Sequence, residues 1–387
     1  SIYIKNIEVR LMYRDIKIID GHVHCAQQVD PAALEAVLMR TGTDMANIAV
    51  CAHSRALSLT PQALAMKKLW PGRFYVFGSL DVSEYYLHPD TLGTHMAQYA
   101  ARMAQAGCDG IKMLEGKPQM RKKYPVPPFD DARWETFWAW AEETGTPILW
   151  HVNDPENFWD LEHAPAFAIQ QGWLYDDSYV NNEAQYAEVL NVLARHPALK
   201  IDFAHFFFMS AQLDRLDAIL VRYANVRVDL TPGIEMYENF SADIDRARAF
   251  FDRWHDRIIY GTDIGGRCIL MGEDKPLDER ENLRRPEIVR EFLTLDGERE
   301  IASDGHFLIK RAPFTMRGLA LYGERLGEIL GGNFVRFAGA PRDVDAAAVL
   351  DECARLRARL GEMDAKYPDF TPDYSVVRYA EQVFAEN

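Results

Sequence analysis

Two histidines, His22 and His24, stand two residues apart at the end of an apolar run that begins at Ile16. On a β-strand, residues i and i+2 point to the same side, so both imidazoles can face one point in space. Neutral imidazole is the commonest metal ligand among protein side chains. The pair therefore indicates a metal site at the end of a strand.

Four more side chains that could bind a metal or transfer a proton stand at the ends of later apolar runs. They are Lys112, His151, His205 and Asp263. Histidines together with a carboxylate suit zinc, manganese or iron. Such an ion lowers the pKa of a bound water and polarises a substrate carbonyl. A further histidine outside the ligand set can move protons, because its ordinary pKa lies near neutrality.

Eight apolar, β-branched runs alternate with segments of helical periodicity. The runs cover residues 16–25, 46–53, 73–81, 108–115, 147–154, 199–207, 226–233 and 258–265. Alternating strands and helices predict a parallel sheet, and eight such units in roughly 250 residues predict a (β/α)8 TIM barrel of the α/β class. The active site of such a barrel lies at the C-terminal ends of its strands, where the six candidate side chains fall.

We expect a single domain over residues 1–387, with the barrel at about 15–338 and a C-terminal helical extension at 339–387. Within that extension, the last twenty residues are predicted to form an extended tail. A hydrophobic content of 48% supplies a large core. A charged fraction of 26% is ordinary for a soluble protein.

The net charge of −15 argues against nucleic acid or an anionic membrane surface as a partner. The sequence has no run of 18 apolar residues, and its first residues do not resemble a signal peptide. Five cysteines without CxxC spacing indicate reduced thiols. We therefore expect a cytoplasmic protein that acts on a small molecule, and we expect a homo-oligomer, a dimer.

At the level of motifs the chain resembles the amidohydrolase superfamily, and most of all its "amidohydrolase 2" branch, which contains aminocarboxymuconate semialdehyde decarboxylase. The matching segments are residues 19–24 (IDGHVH), 109–112 (DGIK), 258–263 (IIYGTD), 317–321 and 332–336, within a resemblance over roughly 15–338. The resemblance implies one divalent metal bound by His22, His24, His151 and Asp263. Zinc is the first expectation, with Mn²⁺ or Fe²⁺ as alternatives. It also implies that His205 is the acid/base and that Asp263 shares proton transfer.

Four residues are predicted to contact the substrate: Lys112, Arg267, Trp159 and His53. For Lys112 three roles stay open: a carbamylated bridge between two metals, a group that orients the substrate, and a structural ion pair. Arg267 follows Asp263 by four residues and is placed to clamp a carboxylate or to pair with an acidic rim. Trp159 lies in the long loop after the fifth run, and His53 ends the second.

Two reactions suit this fold and metal. The first is hydrolysis of a small amide, lactone or cyclic carboxylate; the alternative is non-oxidative decarboxylation of an aromatic or semialdehyde acid. Many aromatic-acid decarboxylases of the branch carry Glu-x-His as the first motif, so the His-x-His found here favours hydrolysis. The preference is modest, because the aminocarboxymuconate-type decarboxylase keeps His-x-His. A non-catalytic barrel is disfavoured, since His205 and Asp263 are both present.

Overall fold

The computed structural model describes residues 13, 15–25, 31–170, 172–233, 235–267, 275–276, 279–301 and 314–385; the side chain of Arg267 lies outside this description. The strands, in chain order, are β1 (Ile19–His24), β2 (Met45–Ala49), β3 (Ala52–His53), β4 (Leu57–Ser58), β5 (Phe74–Ser79), β6 (Gly110–Gly116), β7 (Ile148–Val152), β8 (Ile201–Phe203), β9 (Val226–Asp229), β10 (Ile258–Ile259), β11 (Ile264–Arg267), β12 (Lys275–Pro276), β13 (Glu298–Ile301) and β14 (Phe314–Arg317).

Ten of these strands form one sheet in the order β10-β9-β8-β7-β6-β5-β2-β1-β11-β12. Neighbours are parallel except β11 and β12, which run antiparallel. All residues of β5 and β7 are buried, as expected of parallel strands covered on both faces. The pairs β3–β4 and β13–β14 form separate two-stranded ribbons.

One chain segment, residues 258–267, closes the sheet into a barrel. Its first part, β10, pairs with β9, and its last part, β11, pairs with β1. Across this seam, Gly21 N donates to Tyr260 O and Asp263 N donates to His22 O, both at 2.8 Å. The eight predicted runs correspond to β1, β2, β5 to β9 and this closing segment. The predicted (β/α)8 barrel is therefore confirmed.

Helices follow most of the barrel strands. Their bounds are Pro31–Arg40, Thr60–Leu69, Glu84–Leu87, Leu92–Ala106, Pro118–Lys123, Glu135–Thr144, Ala166–Gln170, Asn182–Arg195, Leu213–Arg222, Met236–Ala242, Ile244–Trp254, Glu279–Thr294, Gly323–Gly327, Asn333–Ala338, Ala346–Lys366 and Ser375–Ala385. Side-chain caps start some of them; the Asn181 side chain accepts from Ala184 N and so begins the helix after it. Within the described ranges, no helix combines the length and apolarity needed to cross a membrane.

The N-terminal half of the barrel is filled by apolar side chains. Ile19 and Met45, the first residues of β1 and β2, belong to a buried cluster with Tyr75, Phe334 and Phe337. The rings of Tyr75 and Phe334 meet edge to face, with centroids 5.0 Å apart. The helix Asn333–Ala338 therefore supplies part of the barrel core, and the polar candidates are left for the opposite, C-terminal half.

The predicted extended tail is wrong, because Ser375–Ala385 is a helix. Its buried residues Val376, Val377, Ala380 and Phe384 recur at the spacing of one helical face. Lys68 fastens this helix to the barrel: its Nζ donates to Val383 O at 2.9 Å and lies 4.8 Å from the centroid of the Phe384 ring. The prolines and tyrosines that suggested a tail precede the helix.

Closure of the barrel requires glycine at position 265. Gly265 has a φ of +104°, and a Cβ there would lie 1.8 Å from the carbonyl oxygen of His24. We expect Gly265→Ala to destabilise the fold by about 3 kcal/mol or more, since a backbone clash adds to left-handed strain. Gly297→Ala is the matched control, because Gly297 has a φ of +110° with nothing within 4 Å of its Cβ position. Equal losses in chemical denaturation would contradict this account of closure.

Candidate metal centre

The end of β1 and the link between β10 and β11 bring three potential ligands together. A ring nitrogen of His22, a ring nitrogen of His24 and a carboxylate oxygen of Asp263 lie within 4.8 Å of one another. His24 Nε2 is 2.9 Å from Asp263 Oδ1. His22 is buried, whereas the other two are partly exposed. The cluster is thus open on one side, as a site that admits substrate must be.

The Nδ1 atoms of both histidines already lie within hydrogen-bonding distance of acceptors. His22 Nδ1 lies 2.7 Å from Asp229 Oδ2, and His24 Nδ1 lies 2.7 Å from Ala49 O. An acceptor at Nδ1 holds the ring proton there and leaves the lone pair of Nε2 for a metal. Two such imidazoles and a carboxylate form a donor set that fits a divalent transition metal.

Asp263 is held by the backbone and by a buried arginine. Its φ is +57°, and its N–H donates to His22 O at 2.8 Å. Arg285 Nη1 donates to Asp263 Oδ2 at 2.9 Å and to Asp263 O at 3.0 Å. Burial opposes the charged carboxylate, but His24 and Arg285 hold the pKa of Asp263 well below its usual range. One oxygen is therefore tied to Arg285 while the other faces His24.

Asp229, the last residue of β9, contacts the candidate centre and is absent from the residues that the sequence predicts for it. Its Oδ2 meets His22 Nδ1, and its Oδ1 accepts the N–H groups of His205 at 2.8 Å and Thr231 at 3.0 Å. Burial raises the pKa of Asp229, while His205 and these backbone donors favour the carboxylate form. Its position at the C-terminal end of an apolar run, like that of the other candidates, was the signal that could have found it.

His205 lies just beyond β8 rather than in the strand. His205 and the next three residues, Phe206 to Phe208, all have positive φ, between 52° and 58°. Such a left-handed run is costly and points to a functional role. The ring of His205 lies 5.8 Å from that of His22 and 4.9 Å from that of His151, measured between centroids. Burial, with a smaller contribution from His151, lowers the pKa of His205 to about 3, so its ring is neutral at pH 7.

His151, on β7, lies beside His205 but outside the three-ligand cluster. Its Nε2 is buried, and among the described residues it has no hydrogen-bond partner; Asp154 Oδ1 lies 3.4 Å away in poor geometry. Burial lowers the pKa of His151 to about 4. A neutral, unpaired ring nitrogen is compatible with a ligand, and the ligand role of His151 stays a prediction.

Lys112, on β6, is buried inside the barrel next to the cluster. Its Nζ lies 3.1 Å from His22 Nε2. Burial lowers the pKa of Lys112, against the attraction of surrounding carboxylates such as Asp229 and Asp263. The structure thus places this amine at the candidate metal centre, and its role there stays a prediction.

The remaining predicted substrate contacts are Trp159, His53 and Arg267. Trp159 Nε1 donates to Asn182 Oδ1 at 3.2 Å, and its ring packs 5.1 Å from that of Tyr175, so it belongs to a small aromatic cluster. His53 Nδ1 accepts from Ala56 N at 2.9 Å at the β3–β4 turn. The side chain of Arg267 lies outside the described residues. For all three, contact with substrate stays a prediction.

Comparison with known proteins identifies the family. The amidohydrolase 2 family model, described as Amidohydrolase, matches residues 19–293. The chain belongs to the amidohydrolase family. No protein with a curated description matches it. The predicted resemblance is therefore confirmed, and as a member of this family the protein is expected to hold a divalent metal.

Solved structures of similar fold lie within the same superfamily. An amidohydrolase II has a TM-score of 0.52 at 12% identity, and a putative amidohydrolase from Staphylococcus aureus has 0.51 at 16%; each likeness covers 84% of this chain and 100% of the other. A 5-carboxyvanillate decarboxylase from Sphingomonas paucimobilis has 0.46 at 11%, over 84% of this chain and 99% of that one. At these identities the first two likenesses show the fold alone, and none of the three chooses a reaction.

The role of Asp229 gives a test of the metal centre. In Asp229→Asn, the amide oxygen must take the place of Oδ1, which accepts two backbone N–H groups, so the amide nitrogen would face His22. The His22 proton would then move to Nε2, the metal-facing atom. We expect zinc affinity, measured by chelator competition, to fall by about 10- to 100-fold.

Asp202→Asn is the matched control for this test. Asp202 is a buried carboxylate on the neighbouring strand β8, and its Oδ1 has no hydrogen-bond partner in the described part of the chain. We expect it to keep wild-type zinc affinity. Unchanged affinity in Asp229→Asn would contradict the assignment of His22 as a ligand positioned by Asp229.

Proposed function

We propose that this amidohydrolase is a metal-dependent hydrolase of a small amide, lactone or cyclic carboxylate. The observation that carries the proposal is the convergence of His22, His24 and Asp263, with the Nδ1 atoms of both histidines held by acceptors and a neutral His205 beside them. We further propose zinc as the ion and His151 as a fourth ligand. A divalent ion at such a site polarises a substrate carbonyl and lowers the pKa of water.

His205 is the proposed general base. Its Nδ1 lies 3.3 Å from Thr231 O, and a carbonyl oxygen only accepts hydrogen bonds. The ring proton is therefore on Nδ1, and Nε2 carries the lone pair. A neutral Nε2 can take the proton of an attacking water and return it to the leaving group. The Asp229 carboxylate holds the His205 backbone in place for this transfer.

Asp263 and Lys112 have supporting roles in the proposal. Arg285 fixes the Asp263 carboxylate through Oδ2, so that Oδ1 can serve as a ligand and share proton transfer. The buried Lys112 amine is a donor inside the barrel, placed to orient a substrate carbonyl or anionic group. A carbamate on Lys112 is the competing role, and uptake of two metal ions in the barrel would support it.

The alternative function is non-oxidative decarboxylation on the same metal. That reaction needs a proton donor for the carbon that loses the carboxylate, together with a cationic group that binds the carboxylate. His205, with its pKa lowered to about 3, is unprotonated on Nε2 at neutral pH and so has no proton there to donate. Arg285 is engaged with the Asp263 carboxylate, but Lys112 is placed to bind an anionic group in either reaction. The unprotonated state of His205 is therefore the observation that favours hydrolysis.

Isotope labelling decides between the two reactions. A screen of small amides, lactones and carboxylates supplies a substrate, which is then turned over in oxygen-18 water. We expect label in the product carboxylate or hydroxyl. Carbon dioxide release with solvent hydrogen on carbon would overturn the proposal. A separate variant tests the assigned base. His205→Asn should keep its metal and lose at least about 100-fold in kcat.

A further inference from the structure

A second cluster of potential ligands lies outside the barrel, in the segment that follows β5. Glu84 is the first residue of a short helix, His88 follows the end of that helix, and His95 lies in the helix Leu92–Ala106. One ring nitrogen of each histidine and one Glu84 oxygen lie within 4.8 Å of one another. The three residues stand within twelve positions of the sequence.

The two rings and the carboxylate are arranged around a single oxygen. His88 Nδ1 lies 2.5 Å and His95 Nδ1 lies 3.5 Å from Glu84 Oε2. The rings stack with centroids 3.8 Å apart and an angle of 8° between their planes. Both Nδ1 atoms therefore lie near the same carboxylate oxygen. Because each lone pair lies in the plane of its ring, one of the two parallel rings has to rotate before both can bind one ion.

The Glu84 carboxylate is buried, and a hydrogen bond to its other oxygen fixes its orientation. Its side chain is 2% exposed, and Arg359 Nη2 donates to Oε1 at 2.9 Å. The two histidine side chains are 34% and 30% exposed, so an ion can reach them from solvent. Orientation of a ligating carboxylate by a second hydrogen bond is typical of metal sites in proteins.

We propose that Glu84, His88 and His95 form a second divalent-metal site, of a kind that takes Zn²⁺. Two imidazoles and a carboxylate suit zinc among the biological divalent ions. In a tetrahedral zinc site, neighbouring ligand atoms stand roughly 3.3 Å apart, so the His88–Glu84 distance has to open by less than 1 Å. One of the two exposed imidazoles also has to rotate out of the stack. One coordination position is then left for water.

The site would tie together three parts of the chain. Glu84 and His88 belong to the segment after β5, His95 belongs to a helix that covers the barrel, and Arg359 belongs to the C-terminal helix Ala346–Lys366. A bound ion would stabilise the folded protein because the unfolded chain lacks the assembled ligands. This inference is independent of the proposed function.

Zinc titration calorimetry and thermal unfolding, with the protein as isolated, test the proposal. His95→Gln removes one ligand with little change in size. We expect the wild type to bind one more equivalent of Zn²⁺ than His95→Gln, or to bind it at least about 10-fold more tightly. Zinc should also raise the unfolding temperature of the wild type more than that of the variant.

His163→Gln is the matched control for adventitious binding. His163 forms an exposed imidazole–carboxylate pair with Asp160, at 2.5 Å. It should bind Zn²⁺ as the wild type does. The proposal is overturned if wild type and His95→Gln take up zinc equally, or if His163→Gln reduces uptake as much as His95→Gln does.

Discussion

The Asp229 carboxylate holds two different parts of the candidate centre at once. One oxygen fixes the proton of His22, and the other holds the backbone at His205 and Thr231. A buried carboxylate is costly unless its oxygens accept hydrogen bonds, and here each oxygen does. The position of the His22 proton and the left-handed turn that contains His205 therefore depend on the same carboxylate. A change at Asp229 would disturb the proposed ligand and the proposed base together.

Closure of the barrel and assembly of the centre are also coupled. The link that joins β10 to β11 contains Asp263, and Gly265 follows it where the chain passes close to His24. Asp20 strengthens the same seam: its carboxylate accepts from Thr262 Oγ1 at 2.5 Å and from Thr262 N at 3.2 Å. Burial raises the pKa of Asp20 to about 7, against these bonds. A barrel that fails to close would lose Asp263 as a ligand.

The sequence predicts the features of the fold and site that depend on strand periodicity. Alternation along β1 predicts that His22 and His24 share a side, and the runs predict the eight barrel strands. The sequence does not predict the four positive φ values from His205 to Phe208, because phenylalanine has no local preference for that conformation. The position of Asp229 at the end of an apolar run is visible in the sequence, but its side-chain contact with His22, 207 residues away, is not. The helix Ser375–Ala385 was missed because prolines upstream outweighed its apolar face.

X-ray absorption at the zinc edge tests the central claim most directly. The sample is His95→Gln protein with one equivalent of zinc, so that the cluster at Glu84 contributes least. We expect a shell of nitrogen and oxygen at about 2.0–2.1 Å with imidazole scattering, and its loss in a sample that also carries His22→Ala. A sulfur shell at about 2.3 Å would contradict the account. Cys51, whose Sγ lies 3.6 Å from His24 Nδ1, would then be the first thiol to replace in search of that ligand.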